Sequence, residues 1–170
     1  MFSRRNDRTQ TMASSGCGPT ALAMIVSTLT GNTVYPYAVA EFAVANGLRS
    51  YNLGTYNTAP GVVATAHGLN YQVINRNQIR GSLNSHSLVY VGVTGAPFTS
   101  PTGGHIVVIS GVQTRNGVQY YSIFDPNFSN YLARGVFNHN AIVVVGNGQI
   151  LMRADALDRL VNFVAVISRD

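Results

Sequence analysis

A chain of 170 residues is long enough for one domain with a substantial core and short for two. It is 46% hydrophobic and 10% charged, which excludes intrinsic disorder and leaves Asn, Ser, Thr, Gln and Gly to wet its surface. The net charge of +5 rests on eleven arginines and no lysine; apart from Arg4, Arg5 and Arg8 these are scattered without interleaved aromatic residues, so no nucleic-acid groove is predicted, although the field favours approach to polyanions such as bacterial wall polymers.

Residues 1–12, MFSRRNDRTQTM, have no apolar period and read as an extended lead-in to a single domain over 13–170. They lack the apolar centre of a secretory signal, so the chain is read as cytosolic, exported by another route, or excised from a larger protein. From Cys17 to Leu29 the pattern is helical, with Ala21, Leu22, Ile25, Val26 and Leu29 on one face, Pro19 in the first turn and Thr30-Gly31-Asn32 as the stop. A second helix is predicted from Pro36 to a Gly47 stop, and a third over PGVVATAHGL from Pro60. NYQVIN (70–75) reads as a short strand and RNQIRGSL (76–83) as a short helix.

The back half changes character. Residues 86–93, 105–112, 118–125, 141–147 and 162–168 are β-branched or aromatic runs bounded by Gly, Pro and Asn, and read as strands. Asn116-Gly117 is a hairpin signal between the second and third of them, and RADALDRL (153–160) adds a helix before the last. The longest apolar runs, AIVVV and IVVI, fall far short of the roughly 20 residues that a spanning helix needs, so no membrane span is predicted. Helices first and strands afterwards imply an α+β domain, with helices packed on one side of a largely antiparallel sheet.

Three residues stand out for chemistry. Cys17 is the chain's only cysteine, which excludes an internal disulfide. It opens a helix, where unpaired N–H groups and the positive dipole end stabilise a thiolate. Gly16 and Gly18 flank it without side chains, so a substrate backbone can approach the sulfur. Free cysteine is also among the most commonly buried residue types, so position alone leaves both readings open. His105 begins a core strand directly after Gly103 and Gly104, held by the sheet yet open on its loop side. Asp125 ends the strand that the Asn116-Gly117 hairpin places beside it, where it can accept the proton of His105 Nδ1. An Asp-Pro-Asn sequence is equally an ordinary turn starter, and a one-residue register error would send one side chain to the other face. His67, near a helix end, reads as a dipole partner or surface residue, and His86 and His139 have no carboxylate near them in sequence. No metal-ligand spacing, phosphate loop or dinucleotide fingerprint is present, and no cofactor is implied.

Together SSGCGPTALAMIVSTLTG, GGHIVVISGV and YYSIFDPN resemble the papain-like cysteine peptidases of the bacteriocin-processing, or double-glycine, branch, and most of all its stand-alone bacterial members. The resemblance runs from about Gln10 to Phe137. It implies a papain-like fold, a nucleophile at Cys17, a general base at His105 and an orienting residue at Asp125. Members of that branch commonly place a glutamine upstream of the cysteine in the oxyanion hole, which points to Gln10, and carry an acidic residue where this chain has Gly16. The expected partner is a peptide or protein substrate, with bacterial cell-wall peptides favoured. An effector that deamidates or cleaves a host protein, and a non-catalytic binding module on the same fold, are the alternatives; oligomeric state is open.

Overall fold

Helix-forming and strand-forming sequence is segregated along the chain, and the structure keeps that order. A computed structural model describes residues 11–50 and 54–170. Of the expected lead-in, residues 1–10 lie outside the described residues. Of its last two, Thr11 is extended and caps the short helix α1 (Met12–Ser15), which Met12 opens; Thr11 and Ser14 form a reciprocal capping box, because hydroxyl residues three apart can satisfy each other's backbone N–H groups.

Helix α2 (Cys17–Thr30) buries the face that its apolar spacing predicts, with Leu22, Ile25 and Val26 fully enclosed. It ends at Gly31, whose left-handed backbone (φ 75°) returns its N–H to the Ser27 carbonyl. Helix α3 (Pro36–Ala45) opens on its proline, and α4 (Ala59–Ala66) carries Pro60 in its first turn. Between them strands β1 (Arg49–Ser50) and β2 (Gly54–Thr55) form a small antiparallel pair. The predicted strand at 70–75 is β3 (Asn70–Val73), and the predicted helix after it is a 3-10 turn (Arg76–Gln78) running into α5 (Ile79–Ser82).

The remaining strands are β4 (Ser87–Val93), β5 (His105–Arg115), β6 (Val118–Phe124), β7 (Ile142–Gly146), β8 (Gln149–Arg153) and β9 (Val161–Ser168), with α6 (Phe128–Ala133) and α7 (Ala154–Asp158) between them. The seven-stranded sheet has the order β3-β9-β4-β5-β6-β8-β7, and every neighbouring pair is antiparallel. Asn116 and Gly117 turn the β5–β6 hairpin with positive φ values of 49° and 76°, as a tight turn requires. Strand β8 and helix α6 have no counterpart in the sequence reading; QILMR and FSNYLA are too short to show a period.

The expectation of helices on one side needs correction. Helices α2, α3 and α4 cover one face, around Leu22, Ile25, Tyr90 and Val108. The short helices α5, α6 and α7 cover part of the other, placing Ile79, Tyr131 and Leu157 over Val91, Val107, Ile109 and Ile123. The reason lies in β4, where all seven residues are buried and Leu88 to Val93 carry no charged side chain; such a strand has no face to give to water. Among the described residues no helix is long and apolar enough to cross a membrane.

Ile109 is fully buried in the central strand β5, whereas Val144 lies 41% exposed on the edge strand β7. Ile109→Ala is expected to destabilise the fold by about 2–5 kcal/mol, and Val144→Ala by no more than about 0.5 kcal/mol, measured as urea unfolding midpoints.

Candidate active site

The backbone between α1 and α2 sets the place of the thiol. Gly16 ends α1 and begins α2 at once, and a Cβ there would collide with the Met12 carbonyl, so a side chain at that position would push the two helices apart. Cys17 is therefore the first residue of α2, half-buried, with the helix N-terminus around its sulfur. The N–H groups of Gly18 and Ile106 act on the sulfur and lower the thiol's pKa. The Ile106 N–H is available for this because the β5–β6 ladder begins only at Val108 and Phe124, so the first residues of β5 run on past β6.

His105 opens β5 and is 5% exposed; Asp125 follows β6 and is 1% exposed. Their contact is a 2.8 Å hydrogen bond between His105 Nε2 and Asp125 Oδ1. The same oxygen accepts the Asn127 N–H at 2.7 Å, and Asp125 donates its own N–H to the Gly148 carbonyl at 3.2 Å, so Oδ1 and the backbone are fixed while the buried Oδ2 has no hydrogen-bond partner among the described residues. The sequence reading pairs Asp125 with the other ring nitrogen. Nε2 is the atom at the far end of the imidazole and reaches across to the neighbouring strand. Nδ1 stays beside the His105 backbone and is left for the Cys17 thiol, which is coupled to the ring.

Two aromatic rings that the sequence reading does not single out enclose the imidazole. Phe98 stacks on it at 5.9 Å between centroids, and Tyr131 of α6 tilts against it at 5.1 Å. Tyr131 Oη donates to the Phe98 carbonyl at 2.9 Å, which ties the two walls together. Excluding water strengthens the His105–Asp125 hydrogen bond, and the ring faces favour a cation between them. Tyr131, six residues after Asp125, sits in a segment with no helical period, so only the fold reveals it.

These surroundings move both protons in opposite directions. Burial pushes the Cys17 thiol up, but the hydrogen bond and charge of His105, with the two backbone N–H groups, outweigh it and bring the thiol below its ordinary range. Burial pulls the imidazole down, but hydrogen bonds to Asp125 and Cys17 and the charges of both lift it to about 9. Both shifts favour the thiolate–imidazolium form of the pair over the neutral one, the form suited to nucleophilic attack followed by proton donation.

A cleft of about 130 Å³ opens on this pair, bordered by α1, Gly16, Thr20, Gly104, Pro126, Asn127 and Tyr131. Of the four glycines expected beside a substrate, Gly16 and Gly104 border it. Gly18 is buried with Thr55 pressed on its Cα, and Gly103 packs on Thr99 and Ser100. Gln10, the expected oxyanion donor, lies outside the described residues. His67, His86 and His139 are exposed and away from the pair. Two larger hollows hold none of these groups: about 660 Å³ beside Asn75 and Val161, and about 560 Å³ of largely apolar groove along α2.

Helices stacked before an antiparallel sheet, with the cysteine opening the main helix and the histidine opening a central strand, define the papain-like class of fold. Among solved structures the chain is similar to the peptidase domain of Streptococcus ComA, a bi-functional ABC transporter involved in a quorum-sensing pathway. The TM-score is 0.61 at 16% identity, over 92% of this chain and 93% of that one, a likeness of fold. No family model and no curated protein sequence matches the chain.

Alkylation of Cys17 by iodoacetamide, followed by mass spectrometry across pH, is expected to show a midpoint below the ordinary thiol value of about 8.5. In His105→Ala the midpoint is expected to rise past that value, since burial then acts on the thiol without its cation; an unmoved midpoint would sink the ion pair.

Proposed function

We propose that the protein is a cysteine peptidase or amidase in which Cys17 is the nucleophile, His105 the general acid and base, and Asp125 the group that orients the imidazole. The observation that carries this reading is the buried His105–Asp125 hydrogen bond, with the imidazole walled by Phe98 and Tyr131 and coupled to the Cys17 thiol beside it on a shared cleft.

The Cys17 thiolate adds to an amide carbonyl carbon, and the carbonyl oxygen takes up the negative charge. Its donor is the Cys17 N–H at the head of α2, and the resemblance implies the side chain of Gln10 as a second. Collapse of this intermediate breaks the C–N bond, and the His105 imidazolium gives its proton to the departing amine, leaving a thioester. Neutral His105 then removes a proton from water as it attacks the thioester, which releases the acid and restores the thiolate and imidazolium. Asp125 accepts the Nε2–H throughout and fixes the ring, so Nδ1 faces the reacting groups.

Small dimensions and a lining of Gly, Ser, Thr and Asn suit peptides with small side chains at the cleavage site. The net charge of +5 suits an anionic bacterial wall, and wall peptides are the favoured substrate. Incubation with purified peptidoglycan is expected to release new amines or muropeptides from wild type and none from Cys17→Ala; identical product profiles would remove the wall from consideration. The absence of lysine favours a second reading, an effector that acts on a host protein and escapes lysine-directed modification. Toxicity on expression in a host cytosol, lost in Cys17→Ala, is its test.

With any cleaved amide, Asp125→Ala is expected to lower kcat/KM by on the order of 10²–10⁴ with the larger part in kcat. The pH profile follows from the two shifts. His105 carries its proton up to about 9, so activity falls as pH rises through that value and the acid is lost. The acid limb lies below the ordinary thiol range, where the lowered Cys17 is finally protonated.

A further inference from the structure

Arg49 stands apart from the thiol, imidazole and carboxylate, yet it grips the turn that carries the thiol. It belongs to β1 and is 8% exposed. A guanidinium withdrawn from water is costly unless its donors are used; one is directed at this turn and another at a residue of β2 that packs on it. Nη2 donates to the Ser15 carbonyl at 2.9 Å, two residues before Cys17. Nη1 donates to Thr55 Oγ1 at 2.9 Å. Thr55 is itself pressed against the next residue of the turn, since a Cβ on Gly18 would come within 2.7 Å of that same oxygen.

The geometry has one further element. Ser15 is the last residue of α1, so its carbonyl has no intrahelical donor and carries part of the negative helix end. A planar guanidinium meets a carbonyl and a hydroxyl at fixed directions, which a flexible ammonium does less well. We infer that Arg49 is a positioning residue for Cys17: it clamps Ser15–Gly18 against β2 and holds a permanent, buried cation behind the turn that carries the sulfur. His105 provides its charge only while protonated, whereas the guanidinium is charged at every working pH. Burial draws the Arg49 pKa down while the charges of Cys17 and Tyr90 pull it back up, and the strongest charge acting on the thiol itself is that of His105.

This role rests on Cys17 being the reacting thiol, and the test separates the two ideas. Iodoacetamide labelling of Cys17 is followed across pH in wild type, Arg49→Gln and Arg49→Lys. The glutamine variant is expected to move the midpoint up by about one unit, which is tenfold less thiolate at low pH, and the lysine variant to recover most of it. A purely structural arginine would lower the melting temperature and leave the midpoint in place, and a folded Arg49→Gln with the wild-type midpoint overturns the inference. Should that variant not fold, Thr55→Val frees the guanidinium from one anchor: a smaller shift in the same direction supports the role, and an unmoved midpoint overturns it. A wild-type midpoint at the ordinary thiol value overturns the nucleophile reading itself, a result distinct from a low midpoint indifferent to Arg49.

Discussion

The pairing of β5 with β6 decides whether this chain has a site at all. From the hairpin outward the strands pair Arg115 with Val118 and Gly111 with Ser122, and continuing that register would set Asp125 across from Val108. Instead the register shifts between Ile109 and Gly111, so that Ile109 pairs with Ile123 and Val108 with Phe124. Asp125 then continues across from Val107. Side chains alternate along a strand, so Val107 shares a face with His105 and Val108 does not. The extra residue, Ser110, thus puts the carboxylate on the same face as the imidazole. A bulge of this kind beside a reactive centre re-aims one side chain while the rest of the ladder stays intact.

Once the two share a face, burial amplifies what they do. An isolated imidazolium or carboxylate at such depth would be neutralised, because the charged form loses its water. Here each has a partner: Asp125 answers His105, and His105 answers the thiolate. The walls that Phe98 and Tyr131 form come from a loop and a short helix on the sheet face opposite α2. The thiol arrives from the α2 side, so the reactive pair is assembled at the end of the sheet where both faces meet. This explains why the sheet is sealed on both sides and why a one-sided arrangement of helices would leave the imidazole wet.

Much of this was legible beforehand. The apolar spacing of Ala21, Leu22, Ile25, Val26 and Leu29, the proline at the start of α3 and the Asn116-Gly117 turn each reflect local physics, and each appears where its residues predict. Strand β8 was hidden because five residues after a glycine-rich turn carry too little pattern. The position of β9 was hidden for a different reason: it is the last strand in sequence, yet it lies between β3 and β4, a pairing of distant segments that no local signal encodes. Arg49, one arginine among eleven scattered ones, becomes informative only when Ser15 and Thr55 are seen at its guanidinium.

The sequence by itself determined the reactive candidates and the order of elements, because residue chemistry, helix period and turn preference are properties of short stretches. It named Cys17 at a helix start, His105 at a strand start and Asp125 at a strand end. Only the tertiary structure decided which nitrogen of His105 meets Asp125, which rings exclude water, and which cation lies behind the Cys17 turn. Those depend on register and on contacts between elements far apart in the chain, where a shift of one residue exchanges the two faces of a strand.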